Sequence, residues 1–241
     1  MNQPKYKRVL IKISGEQLAG DRGYGIDPVF IDQVAKQLVE VESQTKAQII
    51  IVPGGGNIMR GASVANKGID RATGDYMGMM ATIINGAALT DLLESNNQPT
   101  RLLSRLEVDS IAEPYIRRRA LRHLEKGRIV IVAGGMGNPF MTTDTAAVSA
   151  ALELNCDLVI KPTKVDGVYD SDPVSNSEAR HLPRVDYLRA ISDEKITVMD
   201  NSAVSLAMDN HLPIIVLDLL GDRKIQRAIE GEAVGTLIHS V

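Results

Sequence analysis

Lys12 stands inside an otherwise apolar run, VLIKIS, with Ser14 and Gly15 close behind it. At the carboxyl end of a strand its ammonium is a point charge suited to the oxygens of a moving phosphoryl group, while Ser14 adds a donor and Gly15 permits close approach. The same lysine also fits an edge strand, where a charge blocks strand addition. A second stretch, Gly54-Gly55-Gly56 before NIMRG, lets the backbone come near a ligand and aim successive N–H groups at it, with Arg60 offering a fork that matches phosphate. A tight strand-to-helix turn with a solvated Arg60 would read alike. The third stretch is GGMGNPFMTTD, Gly134 to Asp144. It has no lysine of the Walker kind, and Phe140 stands where the dinucleotide fingerprint needs its third glycine. Gly134, Gly135 and Gly137 shape a turn, Asn138 hydrogen-bonds in two directions, and Pro139 stiffens the exit. Thr142 and Thr143 then open a helix whose N-terminus favours anions. Asp144 either caps that helix or turns towards Lys12 and holds its ammonium.

Other chemistry-bearing residues fall to simpler readings. Asp75 opens a methionine-rich helical segment, where capping accounts for it. Arg117, Arg118, Arg119 and Arg122 form the wet face of a helix. The four histidines, His123, His181, His211 and His239, lack metal-ligand spacing, so no protein-held metal is expected. Cys156 precedes an apolar strand and reads as core.

The elements that must position these groups are short β-branched runs alternating with segments of helical period. Strands are predicted at Arg8–Ser14, Gln48–Pro53, Thr100–Ser104, Arg128–Ala133, Asp157–Lys161 and Pro213–Asp218. Most are continuous apolar runs, as expected for strands covered on both faces. Helices are predicted from Asp27, as N-cap before Pro28, to Ser43, from Asp75 to Ser95, from Pro114 to Gly127, from Thr143 to Leu154 and from Asn201 to His211. Repeated strand–helix–strand units mean parallel pairing through right-handed crossovers. The Asp-, Ser- and Pro-rich segment Pro162–Val185 is longer than an ordinary connection and reads as a functional or mobile loop. In an open parallel sheet ligands bind beyond the carboxyl ends of the strands, and it is there that the glycines and polar groups gather.

The 241 residues suffice for a large α/β unit with a substantial core. A net charge of −3 lacks the basic surplus of a nucleic-acid binder, and with no Trp and two Phe, stacking on exposed bases is not the binding mode. The lone cysteine allows no intramolecular disulfide, and no run of about 18 apolar residues occurs. A cytoplasmic protein is the expectation, with no membrane and no nucleic acid needed.

Taken together, KISGEQL (12–18), GGGNIMRG (54–61), GDYMGM (74–79), GNPFMTTD (137–144), KPTKVDGVYDSDP (161–173) and VMD (198–200) resemble the bacterial-type UMP kinases of the amino acid kinase family over nearly the whole chain. The related acetylglutamate, carbamate and aspartate kinases share the glycine loops but not the fourth motif together with the fifth. The resemblance implies a single amino acid kinase domain over residues 1–241. It also implies a three-layer αβα sandwich around a mainly parallel sheet, assembled as a homohexamer. The implied reaction is transfer from Mg²⁺-bound ATP to UMP, giving ADP and UDP.

By motif, Lys12, Ile13, Ser14, Gly15, Gly56 and Arg60 would meet the ATP phosphates, and Thr163, Tyr169 and Asp172 the adenine and ribose. Gly55, Asp75 and the run Met136, Gly137, Asn138, Pro139, Phe140, Met141, Thr142 and Thr143 would hold UMP. Lys12 would carry the transition-state charge, aided by Lys161, with Asp144 orienting Lys12 and the metal's surroundings. GTP activation and UTP inhibition are implied as well. The GTP pattern falls on Gly20, Asp21, Arg22, Gly23, Tyr24 and Gly25 with Arg101 and Arg128. The chain departs from the family at Met136, where relatives often carry threonine, at Pro162, a common alanine, and at Thr90, an arginine in some members. Two other readings remain: a kinase of this fold acting on a carboxylate, carbamate or isopentenyl phosphate, and a silent sensor that binds UMP or UTP.

Overall fold

The structure, a computed structural model, describes residues 4–61, 68–193, 196 and 199–240. Val198 of the VMD motif lies outside them. A nine-stranded sheet runs in the order β4-β3-β5-β2-β1-β6-β10-β11-β9. Its central strands are β1 (Arg8–Ile13), β2 (Gln48–Pro53), β5 (Ile129–Ala133), β6 (Leu158–Thr163) and β10 (Ile214–Asp218), all parallel and largely apolar, as the sequence predicts. β3 (Thr100–Ser104) and the two-residue β4 (Glu113–Pro114) extend one edge; β11 (Thr236–His239) and β9 (Arg184–Asp186) extend the other. Among the described residues, only the β10–β11 pairing in this sheet is antiparallel.

Strand periodicity divides β1 between two cores. Val9, Ile11 and Ile13 point to one face, and Leu10 to the other. The first face is covered by α2 (Pro28–Thr45), α3 (Arg71–Ser95) and α8 (Lys224–Glu230), through residues such as Leu38, Leu89 and Ile229. The second is covered by α4 (Arg117–Glu125), α5 (Thr143–Glu153), α6 (Tyr187–Ser192) and α7 (Asn201–Asp209), through Leu124, Val148, Tyr187 and Val204. This is the expected three-layer αβα sandwich. Two shorter helices follow β1: α1 (Gly15–Leu18) and a 3₁₀ turn at Gly20–Arg22.

Several local expectations are corrected. The long helix does not open at Asp75. Its cap is Asp70, whose Oδ1 accepts from the N–H groups of Ala72 and Thr73 at 3.0 and 3.2 Å, which leaves Asp75 in the helix and free for another task. The arginine-rich helix starts at Arg117, not Pro114, because Glu113 and Pro114 pair with β3. The 162–185 segment is not wholly irregular; β7 (Val168–Tyr169) and β8 (His181–Leu182) form an antiparallel pair within it. Cys156 packs against the second core, and burial pushes its thiol up to about 12. Among the described residues, no helix is long and apolar enough to cross a membrane.

Candidate active site

β1 and β2 end side by side, with Lys12 level with Val52 and Ile13 level with Pro53, so SGE and GGG leave the sheet together. The two turns are locked: Gly54 N–H donates to the Ile13 carbonyl at 2.7 Å, and a Cβ on Gly15 would stand 2.6 Å from Gly56 N. Ile13 takes part through its backbone alone, since its side chain is core. Behind the glycines, Asn57 and Asn85 exchange amide hydrogen bonds of 3.1 and 2.7 Å. Asn85 also donates to the Gly54 carbonyl, and Asn57 to that of Gly25. These buried bonds fix the course of the glycine loop against α3 and were not legible from motif spacing.

The GGMGNPFMTTD segment arrives from β5 and closes the cleft. Gly134, Gly135 and Gly137 all have positive φ (81°, 56° and 78°), which an L side chain resists. Gly134 N–H donates to Thr82 Oγ1 at 2.8 Å, tying the turn to α3. Asp75 does the corresponding work further out. Its carboxylate takes Arg71 Nε at 2.9 and 3.0 Å and the Phe140 N–H at 2.8 Å, and the Arg71 guanidinium lies 5.7 Å from the Phe140 ring centre. The resulting cleft, about 430 Å³, is lined by the lysine and glycines of the first two motifs, by Arg60 and Asp75, and by Met141, Thr142 and Thr143. Arg60 pairs with Glu16 at the rim.

At the root of the cleft three charges meet. Lys12 Nζ lies 2.7 Å from Asp144 Oδ1, and Lys161 Nζ lies 2.9 Å from Asp144 Oδ2. Burial alone would raise the Asp144 carboxyl, but Lys12 and Lys161 outweigh it and hold the group below its usual range. Burial also lowers the Lys161 ammonium, against the opposing pull of Asp144. Of the three, Lys12 lines the cleft, whereas Asp144 and Lys161 stand behind it. The cap of α5 is Thr142, whose Oγ1 accepts from the N–H groups of Asp144 and Thr145 at 3.0 and 3.2 Å; Asp144 is thereby released for Lys12. Asp200 adds a brace, taking bonds from the Thr142 and Thr145 hydroxyls while capping α7 through Ala203 N–H. It closes the VMD motif and precedes a predicted helix, and those two signals could have marked it.

Other predicted residues lie apart. Thr163 lines a neighbouring groove of about 430 Å³ with Gly20 and Asp21. Tyr169 packs edge-on against His181, ring centres 5.3 Å apart, and Asp172 closes its own turn by accepting from Val174 N–H and Ser175 Oγ. Asn138 is exposed, Met136 and Pro139 partly so. Arg101 and Arg128 sit at the amino ends of β3 and β5, Arg101 paired with Glu94 at 2.9 Å and Arg128 with His123 at 2.9 Å. Gly20–Gly25 follows the carboxyl end of β1, so one chain does not bring the two halves of that set together. Among the described residues, no three His, Cys, Asp or Glu side chains gather as a metal cage. Both Asp144 oxygens are engaged by lysines, so this carboxylate is not a bare cation ligand, and a cation here would be held chiefly by the phosphate oxygens of the nucleotide that carries it.

The glycine loop is tight enough to predict a consequence. A Cβ on Gly55 would stand 2.5 Å from the Gly78 carbonyl oxygen and 2.9 Å from Ala81 Cβ, both on α3. Gly55→Ala is expected to destabilise the fold by about 2 kcal/mol, a drop of roughly 4–8 °C in a thermal melt for a chain of this size. An unchanged melt would mean that the loop and α3 part easily.

A parallel α/β sandwich with glycine loops and a braced lysine at its strand ends is a phosphate-handling architecture of the open-sheet class. The chain belongs to the amino acid kinase family, whose pattern matches residues 7–218. It is similar to the UMP kinase of Bacillus anthracis, with 39% identity over 97% of this chain and 96% of the other and a TM-score of 0.91. The UMP kinase of Ureaplasma parvum matches with 32% identity, full coverage of both chains and a TM-score of 0.89. The uridylate kinase of Archaeoglobus fulgidus matches with 27% identity over 95% of this chain and 99% of the other, at a TM-score of 0.70.

Proposed function

We propose that this chain, a single kinase domain over residues 1–241, transfers a phosphoryl group from Mg²⁺-bound ATP to UMP, forming UDP for pyrimidine nucleotide synthesis. The observation that carries the reading is Lys12, held by Asp144 and opening into a cleft walled on one side by glycine turns and on the other by the 134–143 loop. Phosphoryl transfer needs in-line positioning and neutralisation of the moving charge, with little covalent work by the protein. Ser14, Gly15, Gly56 and Arg60 would grip the donor phosphates. Asp75 and the 136–143 loop would hold UMP, and Lys12 would follow the charge. Mg²⁺ bound to ATP supplies neutralisation of the phosphate oxygens. The acceptor is an ionised phosphate oxygen, so no strong general base is required.

The direct test is ADP release from Mg·ATP with UMP, CMP, dUMP and acetylglutamate as acceptors. Turnover centred on UMP is the expected result. UMP binding without ADP release with any acceptor would favour the sensor instead.

Regulation by GTP and UTP belongs to the same proposal, on the resemblance of Gly20–Gly25, Arg101 and Arg128; Thr163, Tyr169 and Asp172 are assigned to the ATP base and ribose on the same ground. So does self-association, to a hexamer in a reducing cytoplasm. Tyr76, Met80 and Ile84 give the outer face of α3 an exposed apolar stripe at four-residue spacing, the kind of surface that marks an interface. Ile84→Glu is expected to shift the mass in light scattering to a smaller species. A wild-type chain that runs as a monomer would overturn the oligomer.

A further inference from the structure

Arg105 follows β3 and lies under the root of the acceptor loop. Its N–H donates to the Ala133 carbonyl at 3.0 Å, and a Cβ on Gly134 would stand 3.0 Å from that same nitrogen. A Cβ on Gly137 would stand 3.5 Å from Arg105 Cβ. The Arg105 side chain, only 15% exposed, leads away from the loop. Its guanidinium lies 4.5 Å from the Tyr115 ring centre, and Nη2 donates to Glu153 Oε1 at 2.7 Å. Tyr115 Oη donates to the other carboxylate oxygen at 2.8 Å, and Ser149 Oγ to the first at 3.1 Å. Burial would raise the Glu153 carboxyl, but the bonds from Arg105 and Tyr115 outweigh it and hold the group ionised.

Glu153 is the last residue of α5, the helix whose first turn presents Thr143 to the cleft and Asp144 to Lys12. The acceptor loop therefore leaves β5 against Arg105 and re-enters the fold on a helix whose far end Arg105 grips. One residue serves both attachments of the loop, its backbone at the start and its guanidinium at the helix. Nothing in motif spacing points to it, because Arg105, Tyr115 and Glu153 come from three separate segments.

We propose that Arg105, through Glu153 and Tyr115, is a positioning residue for the acceptor nucleotide: it sets the span of the 134–143 loop without touching substrate. The inference rests on the reading of that loop as the UMP site. It predicts a split in the kinetics. Misplacing the loop weakens the acceptor, while the donor grip, built from the β1 and β2 turns, is untouched.

The test compares Arg105→Met, which keeps the packed stem, with Glu153→Gln and the double variant. Each single change is expected to raise KM for UMP about tenfold, with KM for ATP close to wild type. The double variant should be no worse than the more affected single, as expected for two members of one network. If Arg105→Met does not fold, Glu153→Gln carries the same prediction. Equal rises in both KM values with a lowered melting temperature would show a merely structural role and overturn the proposal, as would an unchanged KM for UMP. A wild-type chain that does not turn over UMP would instead sink the functional reading, and this inference with it.

Discussion

Lys12→Met is expected to fold with a melting temperature close to wild type and to lose roughly 10³-fold in kcat. The two halves of this expectation have different causes. Stability is spared because Asp144 keeps Lys161 at 2.9 Å and methionine keeps the apolar stem packed within the sheet. Rate is lost because Lys12 alone of the three charged groups reaches the cleft, and a preorganised cation in a water-poor site is worth far more than one in solution. Steady-state kinetics with a parallel melt separates the two. Near-wild-type turnover would mean that transition-state charge is met elsewhere, and the proposed mechanism would fail.

Asp144→Asn is the harsher change. It leaves two buried ammoniums without their shared carboxylate, and breaking a buried pair in this one-sided way costs about 3–5 kcal/mol. Both stability and kcat should fall, in contrast to Lys12→Met. The pH dependence carries a signature. The folded-state carboxyl of Asp144 is held below its usual value, so its contribution is complete above the unfolded-state value of about 4 and is lost as pH falls through the lower folded value. The melting-temperature gap between wild type and Asp144→Asn should therefore be constant near neutrality and narrow in acid. Lys161 runs the other way. Its lowered folded value means that burial of the charge is relieved as pH rises, and without Asp144 to oppose burial the variant should gain stability with rising pH sooner than wild type does. A gap that did not change in acid would place the Asp144 carboxylate outside the buried pair.

Much of this arrangement was legible in the sequence because it rests on local chemistry. The apolar runs RVLIKI, QIIIVP and IVIVA admit little but a doubly covered strand, and Asp27 with Pro28 marks a helix start, which the structure keeps with Asp27 Oδ1 accepting from Val29 and Phe30 N–H. The glycine turns followed from where those strands end. What stayed hidden depends on long-range pairing. β11 is four residues long and carries Thr236 and His239, so its polarity gave no strand signal; it exists because Ile214–Val216 offers it an edge. The helix Lys224–Glu230 follows two residues in left-handed conformation, Asp222 and Arg223, that nothing in their types demanded. Asp75 and Asp144 both looked like caps, since an acid in a first turn always does. Only the presence of better-placed caps at Asp70 and Thr142 freed Asp75 for the cleft and Asp144 for the two lysines.

The position of β1 at the centre of the sheet governs how the molecule can be made. On one side it pairs with β2, which follows within forty-odd residues; on the other it pairs with β6, and the bonds from Lys7 and Arg8 N–H to Asp157 that seat this partner join residues 150 and 149 positions apart. At ribosomal speeds of about 5–20 residues per second, the open edge of β1 waits roughly 8–30 s for its neighbour to be synthesised. Throughout that interval the nascent chain carries a largely apolar strand with one open edge, the kind of edge that recruits other chains. Lys12 meets Asp144 and Lys161 only when the wait ends, so a ribosome-bound fragment that stops before β6 cannot hold the cluster. The buried charges of the cluster are assembled by the same late step that closes the sheet.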